Sequence, residues 1–178
     1  MVKLPNKSLN LSKLSLKNDK DFKIPFFINI KVNSFKNNKK FFLDKIRKLF
    51  SRGLIIIRSA SFDEDKNKYT NAGKYLSINN ISTKSVSIVE DSVNKVIKFL
   101  KNDDYIIIQD YIGDVNCAGV LFSYNSLDES PYIKINYDKS GLTDKITSGV
   151  ESKNYVQTIY KYHPINSKEK FYKLIKNL

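Results

Sequence analysis

The sequence predicts an α+β fold, and three observations carry that prediction. Apolar residues recur at helical spacing in two segments, from Phe42 to Phe50 and from Val86 to Leu100. Short apolar runs of strand length stand between and after them, at residues 54–57, 105–112 and 115–123. From Tyr105 onward these runs follow one another without a helix between them, which argues for consecutive antiparallel strands rather than a doubly wound parallel sheet.

Residues 1–23 are polar and lysine-rich, with Leu9, Leu11, Leu14 and Leu16 at irregular two- and three-residue steps, so a short helix or an extended arm is expected. Pro25 then opens a run to Val32 whose later residues alternate apolar and polar, as a half-buried strand requires. Phe42, Leu43, Ile46, Leu49 and Phe50 define one face of a helix over residues 38–50, with Gly53 as its stop. The next strand, residues 54–57, is expected to deliver Arg58 to the edge of a sheet. Residues 59–73 are polar and poor in large aliphatics, the composition of an exposed, mobile loop, before a strand at residues 75–78.

The second helix should take Ser82 or Thr83 as its N-cap and present Val86, Val89, Val93, Val96 or Ile97, and Leu100 along one face. Its valines lower intrinsic propensity, so tertiary packing must hold it. Two apolar runs joined near Gly113 and Asp114 read as a hairpin, followed by a strand at residues 131–137 and a loop bearing Gly141 and Gly149. Residues 155–160 read as an edge strand, and Ser167 as the cap of a last helix carrying Phe171, Leu174, Ile175 and Leu178. No internal repeat is present.

The 178 residues suffice for one domain burying roughly 70% of its unfolded surface, or for two small lobes sharing a cleft. The formal charge is +13, yet 28 of the 31 basic residues are lysines spread from Lys3 to Lys176. A nucleic-acid partner is therefore not expected, since its usual footprint is an arginine cluster or a basic stripe interleaved with aromatics. Anionic small ligands such as nucleotides fit the charge. Cys117 stands alone, which rules out an intrachain disulfide or a CxxC metal site and points to a reducing cytoplasm. No apolar segment reaches signal-peptide or membrane-span length, so no membrane association is expected. His163 is the single histidine, in a polar connection before Pro164, and reads as structural.

Arg58 concentrates the functional signal. A lone arginine closing an apolar run, ahead of small polar residues and acids, can fork its planar donors onto phosphate oxygens; the competing reading is a strand-end arginine capping carboxylates in the next loop. In chain order stand Arg58-Ser59-Ala60-Ser61 with Glu64-Asp65, then Ala72-Gly73-Lys74-Tyr75-Leu76-Ser77-Ile78, Ile108-Gln109-Asp110-Tyr111-Ile112, Gly119-Val120-Leu121-Phe122-Ser123, Gly141 and Ser148-Gly149. Together these resemble the nucleotide-binding domain of phosphoenolpyruvate synthase and pyruvate phosphate dikinase, whose pattern is R-S-S-A-x-x-E-D, A-G-x-x-x-(S/T)-x-L, V-Q-x-M-V and S-G-V-x-F-(T/S). Rifampicin phosphotransferase and the amide kinases of capsule modification are relatives of that family. Upstream, Lys7-Ser8-Leu9-Asn10-Leu11 is similar to the family's G-G-K-x-x-N-L, with Pro5 and Asn6 in place of the two glycines.

The resemblance implies a partial ATP-grasp domain over residues 1–178: an N-terminal lobe segment at 1–53, a best-matching core at 54–155 and a tail strand and helix at 156–178. It implies that Lys7 and Arg58 bind the phosphates of ATP, with Arg58 acting in catalysis. Gly73 would let the backbone of a closing loop approach, and Gln109, with the backbone of Tyr111 and Ile112, would face adenine. For Lys7 a solvated lysine, and for Gln109 a strand glutamine facing solvent, are the plainer alternatives. Glu64 and Asp65 match the motif and are expected to orient Arg58 or the loop, and Gly119 and Gly149 to serve packing.

Two departures limit the chemistry. The family closes its site with an acidic strand and a Q-x-R segment that supply Mg²⁺ ligands and a catalytic arginine. This chain has only Arg47, Arg52 and Arg58, and Gln157 precedes Thr158, so ligands for Mg²⁺ are not found in it. The surroundings of His163 also lack the threonine, glycine and serine of the family's phosphohistidine segment. The implied function is the ATP-binding portion of a phosphotransferase, inactive alone, that depends on C-terminal domains or a separate partner chain carrying the histidine. The alternative is a non-catalytic nucleotide-binding or regulatory module of the same fold.

Overall fold

Ile106, Ile107 and Ile108 are fully buried in consecutive positions, which places their strand in the middle of a sheet covered on both faces. The computed structural model describes residues 3–17, 23–50, 53–64, 76–113, 115–124, 128–139 and 155–162. They divide into two compact units, Met1–Tyr111 and Ile112–Leu178. The described parts are mixed α and β, with antiparallel sheets and packed helices.

In the first unit the strands β1 (Phe27–Lys31), β2 (Leu54–Ala60), β3 (Ser77–Ser82) and β4 (Tyr105–Asp110) form one antiparallel sheet in the order β1-β4-β2-β3. Pairing of Ile57 with Ile108, and of Arg58 with Ile107, fixes which side chains share a face. Ile30, Ile55, Ile57, Ile81, Ile106 and Ile108 lie in one core with residues of α2 (Val32–Asn37), α3 (Lys39–Leu49) and α4 (Val86–Ile97). On the opposite face Ala60, Tyr105 and Ile107 meet Leu4, Phe27, Phe62 and Leu11 of α1 (Asn6–Leu16).

The two helices read from periodicity are α3 and α4, with small differences at their ends. Gly53, at φ +83°, turns the chain from α3 into β2, a backbone conformation that favours glycine. The α4 cap is Ser85, whose hydroxyl accepts from the Ile88 amide at 3.5 Å, rather than Ser82 or Thr83. Thr83 is buried instead and donates its hydroxyl to the Phe50 carbonyl at 3.3 Å. The N-terminal segment is helical, as one of the two expectations held. Its sheet-facing residues are Leu4, Ser8 and Leu11, whereas Leu14 and Leu16 are exposed. The short helix α2 follows β1 directly and was not expected: Val32 ends the strand alternation and, with Phe35, is completely buried.

Three expectations about strands are corrected. Strand β2 runs through Ser59 to Ala60 and lies between β4 and β3, so Arg58 is in the sheet interior and not at its edge. Strand β3 begins at Ser77 and runs to Ser82, later than the expected 75–78. It carries one extra residue opposite Ile56, a bulge at which Asn80 adopts φ 55°. Residues 105–112 and 115–123 do not form a hairpin: β4 already has β1 on one side and β2 on the other, leaving no free edge for the next strand.

That strand, β5 (Ala118–Phe122), pairs instead with β6 (Tyr132–Asp138), and β6 with β7 (Tyr155–Tyr160), in an antiparallel sheet of order β5-β6-β7. A small core of Ile133, Ile135 and Ile159, with Leu121 and Tyr137 against it, holds the second unit. The edge position of β7 agrees with its expected role. Gly141, Gly149, His163 and the helix expected after Ser167 lie outside the described residues. No helix among the described residues is long and apolar enough to cross a membrane.

Gly119 is a packing glycine, since a Cβ there would meet the Asn136 carbonyl oxygen and lie 2.9 Å from the Tyr137 Cβ. Gly119→Ala is expected to destabilise the β5–β6 pairing by about 1–3 kcal/mol, the usual cost of overpacking. Urea unfolding followed by tyrosine fluorescence checks this, and an unchanged midpoint would contradict it.

Candidate functional site

Two cations chosen from separate motifs lie on the α1 side of the first sheet. Pro5 is buried at the N-cap of α1, its carbonyl accepting from the Leu9 amide at 2.8 Å, and fixes where the helix starts. Lys7, in the first turn, reaches back to the end of β2. Its Nζ donates to the Ser59 carbonyl at 3.2 Å and to Glu64 Oε1 at 2.5 Å.

Glu64 is presented there by a turn that neighbouring side chains hold in shape. Asp104, nearly fully buried, accepts from the Phe62 amide at 3.0 Å and from the Lys101 amide at 2.8 Å. The Ser61 hydroxyl accepts from the Asp63 amide at 3.2 Å, and the Phe62 ring packs edge-on against Tyr105. Glu64 therefore pairs with Lys7, where the sequence suggested that it orients Arg58 or the loop.

Arg58 follows from the alternation of β2. Asn29, Ile107, Arg58 and Ser77 form one row across the four strands, their side chains on the α1 face. The Nε of Arg58 is buried without a hydrogen-bond partner, and no carboxylate among the described residues pairs with the guanidinium. Of the acids in the loop that follows, Glu64 pairs with Lys7 and Asp63 with Lys101, while Asp65 lies outside the described residues. On the same face, across Ile107, Asn29 donates its amide to the Ser12 hydroxyl at 3.4 Å, while Asn29 Oδ1 and Ser8 Oγ are buried and unpartnered. The second oxygen of Glu64 is buried and unpartnered as well.

A buried polar atom without a partner costs free energy comparable to a lost hydrogen bond. Among the described residues the only other such atom is the Ser59 hydroxyl, on the opposite face of the strand. Four of the five unpartnered atoms thus belong to the α1 side. Open donors and acceptors on the face that carries two cations are the groups with which an anion bearing hydrogen-bonding atoms can pair.

The adenine-facing expectations fall differently. Gln109 is buried, not solvent-facing, in the row of Phe27 and Ile56 on the Arg58 face, and donates to the Pro25 carbonyl at 3.4 Å. The amide of Tyr111 already donates to the Leu54 carbonyl at 3.1 Å. Ile112 is half exposed and belongs to the second unit. Gly73 and Asp65 lie outside the described residues.

Asn29 and Ser8 were missed by sequence reasoning. The alternation of β1 puts Asn29 on the face of Phe27, and Ser8 directly follows Lys7, so both signals were present but local. Among the described residues no three histidine, cysteine, aspartate or glutamate side chains gather to hold a metal. A surface groove of about 420 Å³ in the second unit is lined by Ser123, Tyr124, Glu129, Pro131, Lys161 and Tyr162. It contains none of the expected site residues, and Tyr162 in its wall is 73% exposed.

No family model matches the chain, and no curated protein matches it.

Lys7→Met would leave Glu64, with a side chain only 21% exposed, without its counter-charge. The expected loss is about 1–3 kcal/mol, the cost of stranding a partly buried polar partner, read from the midpoint of chemical denaturation. A loss below about 0.3 kcal/mol would show the pair to be a solvated surface contact.

Proposed function

We propose that this chain is the ATP-binding portion of a phosphoenolpyruvate synthase-like phosphotransferase, with an ATP-grasp fold and with phosphate passing through a histidine outside the chain. The observation that carries this reading is the convergence of Lys7 and Arg58, from distant segments, on one face of the sheet, Arg58 with a buried donor still unpaired. In this reading Arg58 and Lys7 neutralise phosphate charge in a sheltered site, where such contacts are stronger than in water. Arg58 would also stabilise charge on the transferring phosphoryl group, the catalytic role the motif assigns to it.

Mg²⁺ accompanies a nucleoside triphosphate in this chemistry and takes one or two carboxylates with phosphate oxygens. Among the described residues Glu64 is paired with Lys7, Asp63 with Lys101, and Asp104 accepts from two backbone amides, so they do not fit a protein-built magnesium shell. Binding is therefore argued from the cations. The same feature favours a second reading, a nucleotide-binding or regulatory module without turnover. The two separate on one assay: release of ADP or AMP from ATP by the chain mixed with a partner bearing the phosphohistidine segment supports the first, and saturable binding without turnover supports the second.

Arg58→Ala is expected to keep the far-UV spectrum and to weaken ATP binding about tenfold or more, the loss of a charge-assisted pair. Titration calorimetry of the two proteins reads this directly. Equal affinities would remove Arg58 from the site.

A further inference from the structure

The ammonium of Lys7 is held between two oxygens, the Ser59 carbonyl at 3.2 Å and Glu64 Oε1 at 2.5 Å. A carboxylate oxygen resembles a phosphate oxygen in charge and in hydrogen-bond geometry. Resting on the nucleotide reading above, we propose that Glu64 is the specificity-determining residue of the site: its carboxylate sits in the phosphate position on Lys7, and only a ligand with several negative charges displaces it.

Three features of the geometry support this role. The pair is sheltered, with side chains 30% and 21% exposed, so solvent and salt weaken it less than a surface contact. The Ser59 carbonyl is part of an interior strand, so Lys7 stays aimed at the site when Glu64 leaves. Glu64 also uses only one oxygen, its other being buried and unpartnered, while Arg58 Nε on the same side of the sheet is an unpaired donor. A monoanion would exchange one charge on Lys7 for another and gain little. A polyphosphate can replace Glu64 on Lys7 and also occupy Arg58, so the carboxylate sets a threshold on ligand charge.

The test is titration calorimetry of the full chain with inorganic tripolyphosphate and, separately, orthophosphate, both free of magnesium. Glu64→Gln is expected to bind tripolyphosphate about tenfold tighter than the parent and to gain measurable orthophosphate binding. The double variant Arg58→Ala/Glu64→Gln should lose that gain. Glu64→Asp, with its carboxylate drawn back by one methylene, should fall between and serves if the glutamine variant does not fold. Tripolyphosphate affinity no higher in either variant than in the parent overturns the proposal. If Arg58→Ala weakens parental binding while the Glu64 variants show no gain, the role of Glu64 falls and the nucleotide reading stands. If Arg58→Ala changes nothing, or no protein binds, both fall.

Discussion

Everything in the first unit is arranged around the double burial of β4. A strand with apolar side chains on both faces and neighbours along both edges has no surface left for water, so each adjoining element must supply cover. Ile106 and Ile108 are covered by the core that α2, α3 and α4 share, Ile107 by the side of α1. The same saturation forces the chain to leave the sheet after Asp110 and start another with β5 and β6. Arg58 is carried by the strand beside β4, so its place in the interior follows from that burial and not from any property of the arginine.

Periodic signals were legible because they are local. α3 and α4 show apolar residues every three or four positions, and β7 stands at residues 155–160, where an edge strand was expected. The supposed hairpin failed because strand partners depend on which edges are already taken, and no short window of sequence contains that information. The end of β2 was misread for a related reason: Ser59 and Ala60 look like loop, but both are buried in register with Ile106 and Tyr105. The leucines of the first helix misled in the opposite direction. Two of them face water, and part of the contact with the sheet is made by serines.

The candidate site divides along the same line. Lys7 and Arg58 were readable from their motifs, whereas the pairing of Lys7 with Glu64 was not, because the turn that presents the glutamate is shaped by Asp104, far along the chain. Gln109 was legible as a candidate but not as buried, since burial on the α1 side depends on a helix whose packing face the sequence did not reveal. Within this unit four of the five unpaired buried polar atoms lie on the α1 side, whose apolar cluster is the smaller of the two that cover the sheet.

The helix α1 meets the sheet through few apolar side chains, chiefly Leu11 with Leu4 just ahead of the helix, and through Ser8 and Ser12. Little free energy is returned when such an interface closes, so local opening of the molecule would release this helix ahead of the strands beneath it. Lys7 would depart with it while Arg58 stays rooted in β2. The two positive groups therefore differ in kind: one is a permanent fixture of the scaffold, and the other is present only as long as its helix remains docked.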